Sequence, residues 1–387
     1  MPDLNLAAAD AGPTVSALGA GLHARLHARL GRVARYRPGR APMGIAGLDG
    51  KLSANESALG PSPVVRAAAA AACVSPHRYP SAVAFQQRLA AALGVPAATV
   101  VLSNGSDELC HLLATAVLDR DAVAVLADPC YRIDETASLL AGAELRPVPL
   151  RDVDGAHDLD AMAAAVEDSG AALVWLPNPH NPTGAVVAPG ALAGFLDRVP
   201  GDCLVVLDEA YRAFCDPALR PDTAGLLADY PNLVVQRTLS KDWGLAGLRL
   251  GYALAAAEVA EALNRIKPPF SVNSVALAAA DAALSAADGA WRELAVQLVR
   301  RERDRLQQLL DRLGVRYYPS QANFVTVQLD EAELRAPLAA LGLSVRNGDD
   351  LGLPGWSRIS IGWAPQMALL RHALATITSS GEEEVTS

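Results

Sequence analysis

Lys241 stands in Arg237-Thr-Leu-Ser-Lys-Asp-Trp-Gly-Leu-Ala-Gly-Leu-Arg-Leu-Gly-Tyr252, with Ser240 before it and Arg249 eight residues after it. A lysine amine can capture an aldehyde cofactor covalently, and a nearby guanidinium with the hydroxyls of Thr238 and Ser240 can hold that cofactor's phosphate. An isolated lysine is ordinarily a solvated surface group. This one follows closely on the apolar run Leu233-Val-Val235, a poor place for a decorative charge. Upstream, Val205-Val-Leu-Asp-Glu-Ala-Tyr211 ends an apolar run in a carboxylate. A buried Asp208 needs a cation, which a protonated ring nitrogen would supply, and Tyr211 could hydrogen-bond a ring oxygen. The competing reading is a carboxylate that caps the next helix.

Two earlier segments complete the constellation. Ser103-Asn-Gly-Ser-Asp-Glu108 follows an apolar run and opens a helix. Free N–H groups at Gly105, Ser106 and Asp107 could bind phosphate there, and Gly105 would let the backbone approach closely. An ordinary turn with Ser106 or Asp107 as helix cap competes with this. Asn178-Pro-His-Asn-Pro-Thr-Gly184 reads as a rigid turn after a strand, and His180 in it as an exposed loop histidine.

These residues need a frame. The runs Val100–Leu102, Ala122–Leu126, Ala172–Trp175, Leu204–Leu207 and Leu233–Val235 are β-rich, non-alternating and separated by helix-sized gaps. That texture predicts a mostly parallel sheet sandwiched by helices, an α/β fold, with ligands beyond the carboxyl ends of the strands. Each chemical motif follows such an end. After Pro268-Pro-Phe270 the texture changes: a helical stretch over 273–313, then strand-like segments 322–327 and 358–362, give a smaller α+β domain. The expected division is an N-terminal arm at 1–45, a large cofactor-binding domain at 46–272 and a small domain at 273–387 that packs with the N-terminal segment. The acidic tail from 381 is expected to be unstructured.

Together the four segments resemble the pyridoxal-phosphate aminotransferases of fold type I, the aspartate-aminotransferase-like group, and within it the histidinol-phosphate and aromatic aminotransferase branch. The likeness runs from about Tyr36 to about Gly362 and implies further roles. Asn181 would bond the same ring oxygen as Tyr211, and Tyr131 would stack on the ring, although a core tyrosine is as good a reading. Tyr79, in His77-Arg-Tyr-Pro-Ser81, would reach the phosphate of a neighbouring subunit, making a homodimer. Arg358, in Ser357-Arg-Ile-Ser-Ile-Gly362, would grip the substrate's acid group, with Arg346 a second candidate. Tyr36, in Tyr36-Arg-Pro-Gly39, would fold over the substrate, and Asn55 lies in the segment that links this arm to the large domain. Asp242-Trp243, His180 and Leu59 depart from the residues usual at those places.

The implied activity is transfer of an amino group from histidinol phosphate to 2-oxoglutarate. The alternatives are an aromatic or specialised amino donor, decarboxylation or oxidation on the same cofactor, and a non-catalytic binding protein that kept the fold. A net charge of −9 does not point to nucleic acid, and no apolar stretch reaches spanning length. Five scattered cysteines without a C-x-x-C pair favour reduced thiols over a metal site. Reduced thiols, and first residues without the pattern of a signal peptide, lead to the expectation of a cytoplasmic protein. His23 and His27 have metal-compatible spacing but no third ligand, so a solvated helix face is expected, with Leu22, Leu26 and Leu30 packed on the protein.

Overall fold

A computed structural model describes residues 20–35, 37–39 and 50–385. Tyr36 and most of the expected arm lie outside the described residues. The chain forms two compact units, Met1–Arg35 and Tyr36–Ser387. In the first, helix Ala20–Leu30 carries Leu22, Leu26 and Leu30 at the expected spacing, but each is about half exposed rather than packed. Among the described residues there is no cluster of three metal-ligating side chains, and no helix is long and apolar enough to cross a membrane.

The second unit holds two sheets. Its strands are β1 (Lys51–Leu52), β2 (Val100–Ser103), β3 (Val123–Asp128), β4 (Glu144–Pro149), β5 (Leu173–Pro177), β6 (Leu204–Asp208), β7 (Leu233–Thr238), β8 (Gly251–Leu254), β9 (Tyr317–Tyr318), β10 (Phe324–Val327), β11 (Ser344–Asn347) and β12 (Ser357–Ser360). The larger sheet has the order β2-β8-β7-β6-β5-β3-β4. Neighbours from β4 through β7 pair in parallel, and β8 runs antiparallel to both β7 and β2.

Strand β6 shows why the apolar runs do not alternate with polar residues. Val205 and Leu207 enter one core with Val65, Leu89, Met162 and Leu192, while Leu204 and Val206 enter the opposite core with Leu109, Leu113, Ala137 and Leu263. Helices therefore cover both faces, and every position of β5 and β6 is buried. Burying one such aliphatic side chain contributes roughly 1.5–3 kcal/mol.

The smaller sheet, β1-β11-β12-β10-β9, has its own core around Phe324, Ile359, Leu334 and Leu370. Two elements cross the boundary expected at 272/273. Strand β1 pairs in parallel with β11, and Leu52 lies in the smaller core. Helix Ser274–Ala282 packs Ala276, Ala279 and Ala280 into the larger one. The helical stretch over 273–313 is two helices, because Ser285 caps a new one, Ala286–Arg312, by accepting from Asp288 N–H. The last helix, Ala364–Val385, continues into the tail expected to be unstructured.

Candidate active site

At the carboxyl edge of the larger sheet lies a cavity of about 640 Å³. Strands β6 and β7 deliver Asp208, Thr238, Ser240 and Lys241 to it, with Tyr211 and Arg249 from the loops that follow. Ser106 and Asp107 reach it from the start of helix Gly105–Val117, and Tyr131 from the turn after β3. Asn181 enters from the loop after β5, and the smaller sheet contributes Arg346 and Arg358, with Asn55 just after β1. Lys241 Nζ lies 5.6 Å from the centre of the Tyr211 ring.

One end of the cavity is built for an anion. Helix Gly105–Val117 starts at Asn104, whose side chain caps nothing, so its first N–H groups are left for a ligand. Arg249 sits opposite in a left-handed conformation, φ 56°. Gly105 takes φ 75°, which strains any other residue, and a Cβ there would push the Arg249 guanidinium out of its place. Asp107 takes no capping role. Its carboxylate accepts from Tyr131 Oη at 2.8 Å and pairs with Arg249 Nη2 at 3.0 Å, which orients both partners. Thr238 Oγ1 and Ser240 Oγ lie 3.0 Å apart beside this guanidinium.

The other end of the ring site is Asp208. It is buried and accepts from Ala210 N–H at 2.8 Å and Gln236 Nε2 at 3.1 Å, but pairs with no cation among the described residues. Burial pushes its carboxyl up to about 6 against those two hydrogen bonds. An acid with this environment is a good partner for a positively charged ring nitrogen. The neighbouring Glu209 faces away, held by Arg237 Nη2 at 2.7 Å, Arg212 Nε at 3.1 Å and Thr223 Oγ1 at 2.9 Å. The residues thus fit a phosphorylated, cationic aromatic aldehyde: a cradle, a carboxylate and an amine in one cavity.

Arg346 and Arg358 are direct cross-strand partners on β11 and β12. Arg358 Nη1 donates to Asn181 Oδ1 at 2.6 Å, so the asparagine expected at the ring oxygen is tied here to the substrate side. Arg346 lies 3.4 Å from Asp350, whose carbonyl accepts from Arg132 Nη2 at 3.0 Å. Sequence reasoning missed Arg132 and Asp350, which also line the cavity. Arg132 could have been found from its place beside Tyr131, whereas nothing marks Asp350.

Two expected residues stand elsewhere. Tyr79 is 82% exposed, stacked on Phe270 at 4.4 Å, and does not line the cavity of its own chain. His180 is fully buried, a correction to the exposed loop position. The turn closes through Gly184 N–H to the His180 carbonyl, which folds the ring inward. There His180 Nδ1 lies 2.9 Å from Thr183 Oγ1, and the ring meets His157 edge-on at 4.7 Å. Burial pulls the His157 imidazole down to about 4 and His180 well below its ordinary range, so both are neutral at physiological pH. Asp242 and Trp243 turn from the cavity toward Arg292, which lies 3.9 Å over the Trp243 ring.

Fold and cavity together are those of fold type I aminotransferases. Residues 50–377 match the family described as Aminotransferase class I and II. The histidinol-phosphate aminotransferase 1 of Dechloromonas aromatica is 41% identical over 88% of this chain and 95% of its own length. The crystal structure of histidinol-phosphate aminotransferase from Sinorhizobium meliloti in complex with pyridoxal-5'-phosphate has a TM-score of 0.76 at 31% identity, covering 85% of this chain and 90% of that one. Thermus thermophilus aspartate aminotransferase with maleate shares the fold alone, with a TM-score of 0.74 at 21% identity, over 85% of this chain and 91% of that one. The chain belongs to the class I and II aminotransferases, in their histidinol-phosphate aminotransferase branch.

Proposed function

We propose that this chain is a pyridoxal-phosphate transaminase that takes an amino group from histidinol phosphate and passes it to 2-oxoglutarate in a ping-pong sequence. The single observation that carries the choice of donor is the cross-strand pair Arg346 and Arg358, both lining the cavity that holds Lys241. Two guanidinium forks suit a phosphate dianion better than the single carboxylate of an aromatic amino acid.

When bound, pyridoxal phosphate supplies an aldehyde carbon and an electron-withdrawing ring. The uncapped start of helix Gly105–Val117, Arg249, Thr238 and Ser240 would hold its phosphate, and Tyr131 would pack on its ring. Asp208 would pair with the ring nitrogen, and Tyr211 and the amide nitrogen of Asn181, whose oxygen is taken by Arg358, would bond the ring oxygen. Lys241, the amine in the cavity, would anchor the cofactor's aldehyde and would serve as the base for the proton at the donor's Cα. Arg346 and Arg358 fix the donor's acid group, so that the Cα bond that breaks is set by position.

Three wider assignments go with this reading. The protein acts in the cytoplasm as a homodimer, with the exposed Tyr79 completing the partner's phosphate site. Tyr36, outside the described residues, is assigned by the family resemblance to the donor's side of the site. The chain divides into the arm at 1–45, a large domain at 46–272 and a small one at 273–387, with β1 serving the small domain and helix Ser274–Ala282 the large one.

A panel of amino donors assayed with 2-oxoglutarate, read by mass spectrometry for keto product, tests the proposal. Histidinol phosphate should be preferred, and a preference for phenylalanine or for unphosphorylated histidinol would overturn it. Arg358→Ala and Arg346→Ala should each lower kcat/KM for the phosphorylated donor by roughly 30- to 1,000-fold, the cost of truncating one side of a buried charge pair.

Asp208 also sets a pH dependence. It must be ionised to pair with the ring nitrogen, and in the bare protein it takes up a proton near pH 6. Above that pH affinity for the cofactor is full. As pH falls through about 6, binding must first remove this proton, so affinity should fall by up to about tenfold per pH unit. Fluorescence titration of the bare protein with pyridoxal phosphate between pH 5 and 8 measures it, and a flat profile would refute this role for Asp208.

A further inference from the structure

Asp208 does not stand alone at the end of its strand. Gln236 is its direct cross-strand neighbour on β7, is fully buried, and donates from Nε2 to Asp208 Oδ2 at 3.1 Å. Behind Gln236 lies the thiol of Cys110, with Sγ 3.5 Å from Gln236 Nε2 and 3.7 Å from Oε1. The same sulfur lies 3.5 Å from Asp134 Oδ1, on helix Arg132–Ala141. The chain Asp208–Gln236–Cys110–Asp134 therefore runs from the cavity into the core between two strands and two helices.

Asp134 is the unusual member. It is only 2% exposed, no cation pairs with it, and Oδ2 has no hydrogen-bond partner. The titratable groups that face it are Cys110 and Asp107 from helix Gly105–Val117, Asp208 from β6 and Cys130 from the turn before its own helix. All of them are acidic or neutral. A carboxylate in that place would be an unpaired buried anion beside a second one, whereas a carboxylic acid carries no such penalty and its Oδ1 still accepts from the Cys110 thiol. Burial and Asp208 push its carboxyl well above the carboxylate range, and burial holds the Cys110 thiol protonated.

We infer that Gln236 and Asp134, bridged by Cys110, are positioning residues for Asp208: Gln236 fixes the carboxylate oxygen, and Asp134 stays a neutral acid so that Asp208 is the sole anion under the cofactor's ring nitrogen. This rests on the assignment of Asp208 to that nitrogen.

The test uses the full chain, with and without saturating pyridoxal phosphate, in thermal unfolding from pH 5 to 8.5 and in cofactor titration. Gln236→Leu should raise the cofactor Kd about 10- to 100-fold, as expected for losing a hydrogen bond to a charged group, and shrink the rise in Tm that cofactor gives the wild type. A loss of Tm equal with and without cofactor, at unchanged Kd, would reduce Gln236 to a packing role and overturn the inference. Should Gln236→Leu fail to fold, the isosteric Gln236→Glu gives the same reading, with Kd rising further between pH 6 and 8.

Asp134→Asn is read in the cofactor-free chain. An acid whose proton is held more tightly folded than unfolded stabilises fully only below the unfolded carboxyl range, and that advantage is lost as pH rises. The variant's Tm should therefore climb relative to wild type from pH 5 to 8.5. A constant difference, or one that falls with pH, would show an ionised Asp134 and overturn the inference. If wild type bound no pyridoxal phosphate, the role of Asp208 would fail instead, and the cofactor-free arm would still report on Asp134.

Discussion

Replacing Lys241 by alanine is expected to lower turnover by at least about 10⁴-fold while leaving the fold intact. The side chain lines the cavity and belongs to none of the three hydrophobic cores, so its loss widens the cavity rather than emptying a packed core. Its chemistry has no substitute there. Proton transfer by a positioned group is worth about 10²- to 10⁴-fold, and covalent capture of the cofactor adds to that. Absorption spectra of the purified protein make the check direct. The wild type should carry a visible band that survives dialysis, and the variant should lose it after dialysis against an amine. A variant that kept both band and turnover would remove Lys241 from the centre of the site.

The second large effect is expected from Asp208→Ala. Truncating one partner of a buried charge pair costs about 2–5 kcal/mol, so kcat/KM should fall roughly 30- to 5,000-fold. Cofactor affinity should fall with it, and the drop in affinity on acidification through about pH 6 should disappear, because the group that takes up the proton is gone. Asp208→Glu would keep the charge but push it one methylene further into the cavity, off the place the ring nitrogen would take. Rescue by Glu is therefore expected to be partial. Titration of both variants with pyridoxal phosphate at pH 5.5 and 8 separates loss of charge from loss of position.

How far the sequence could be read depended on where each element lies. Strands β6 and β7 were legible because both of their faces are buried, which leaves unbroken β-rich runs, and the motifs at their ends were legible with them. The edge strand β4 was not. Its Glu144, Arg146 and Pro147 face solvent and read as loop. Strand β8 was hidden for another reason, since Gly251-Tyr-Ala-Leu254 is short and takes its place only by antiparallel pairing to β2 and β7. Local texture likewise gave no hint that two residues of β1 would join a sheet whose other strands begin at Tyr317. The cavity residues after strand ends were identifiable by type and order. The layer behind them, Gln236, Cys110 and Asp134, was not, because a glutamine, a thiol and an acid far apart in the chain announce nothing until the sheet brings them together. His180 was misjudged because polar residues in a Pro- and Asn-rich turn usually face water, and here the turn folds inward on His157.

Asn55 gives the molecule a mechanical link between its two layers. Its backbone N–H and its Oδ1 are both engaged by Ser360 Oγ at 2.8 Å, and its carbonyl accepts from Asn323, so the residue is riveted to the five-stranded layer. From that mooring its amide reaches across to Tyr211 Oη at 3.1 Å, next to the reactive lysine. A swing of the smaller layer that carried the two arginines toward an arriving donor would drag this amide along. Because Ser360 lies on the same strand as Arg358, this amide ties the Tyr211 phenol to the strand that carries one of the two arginines.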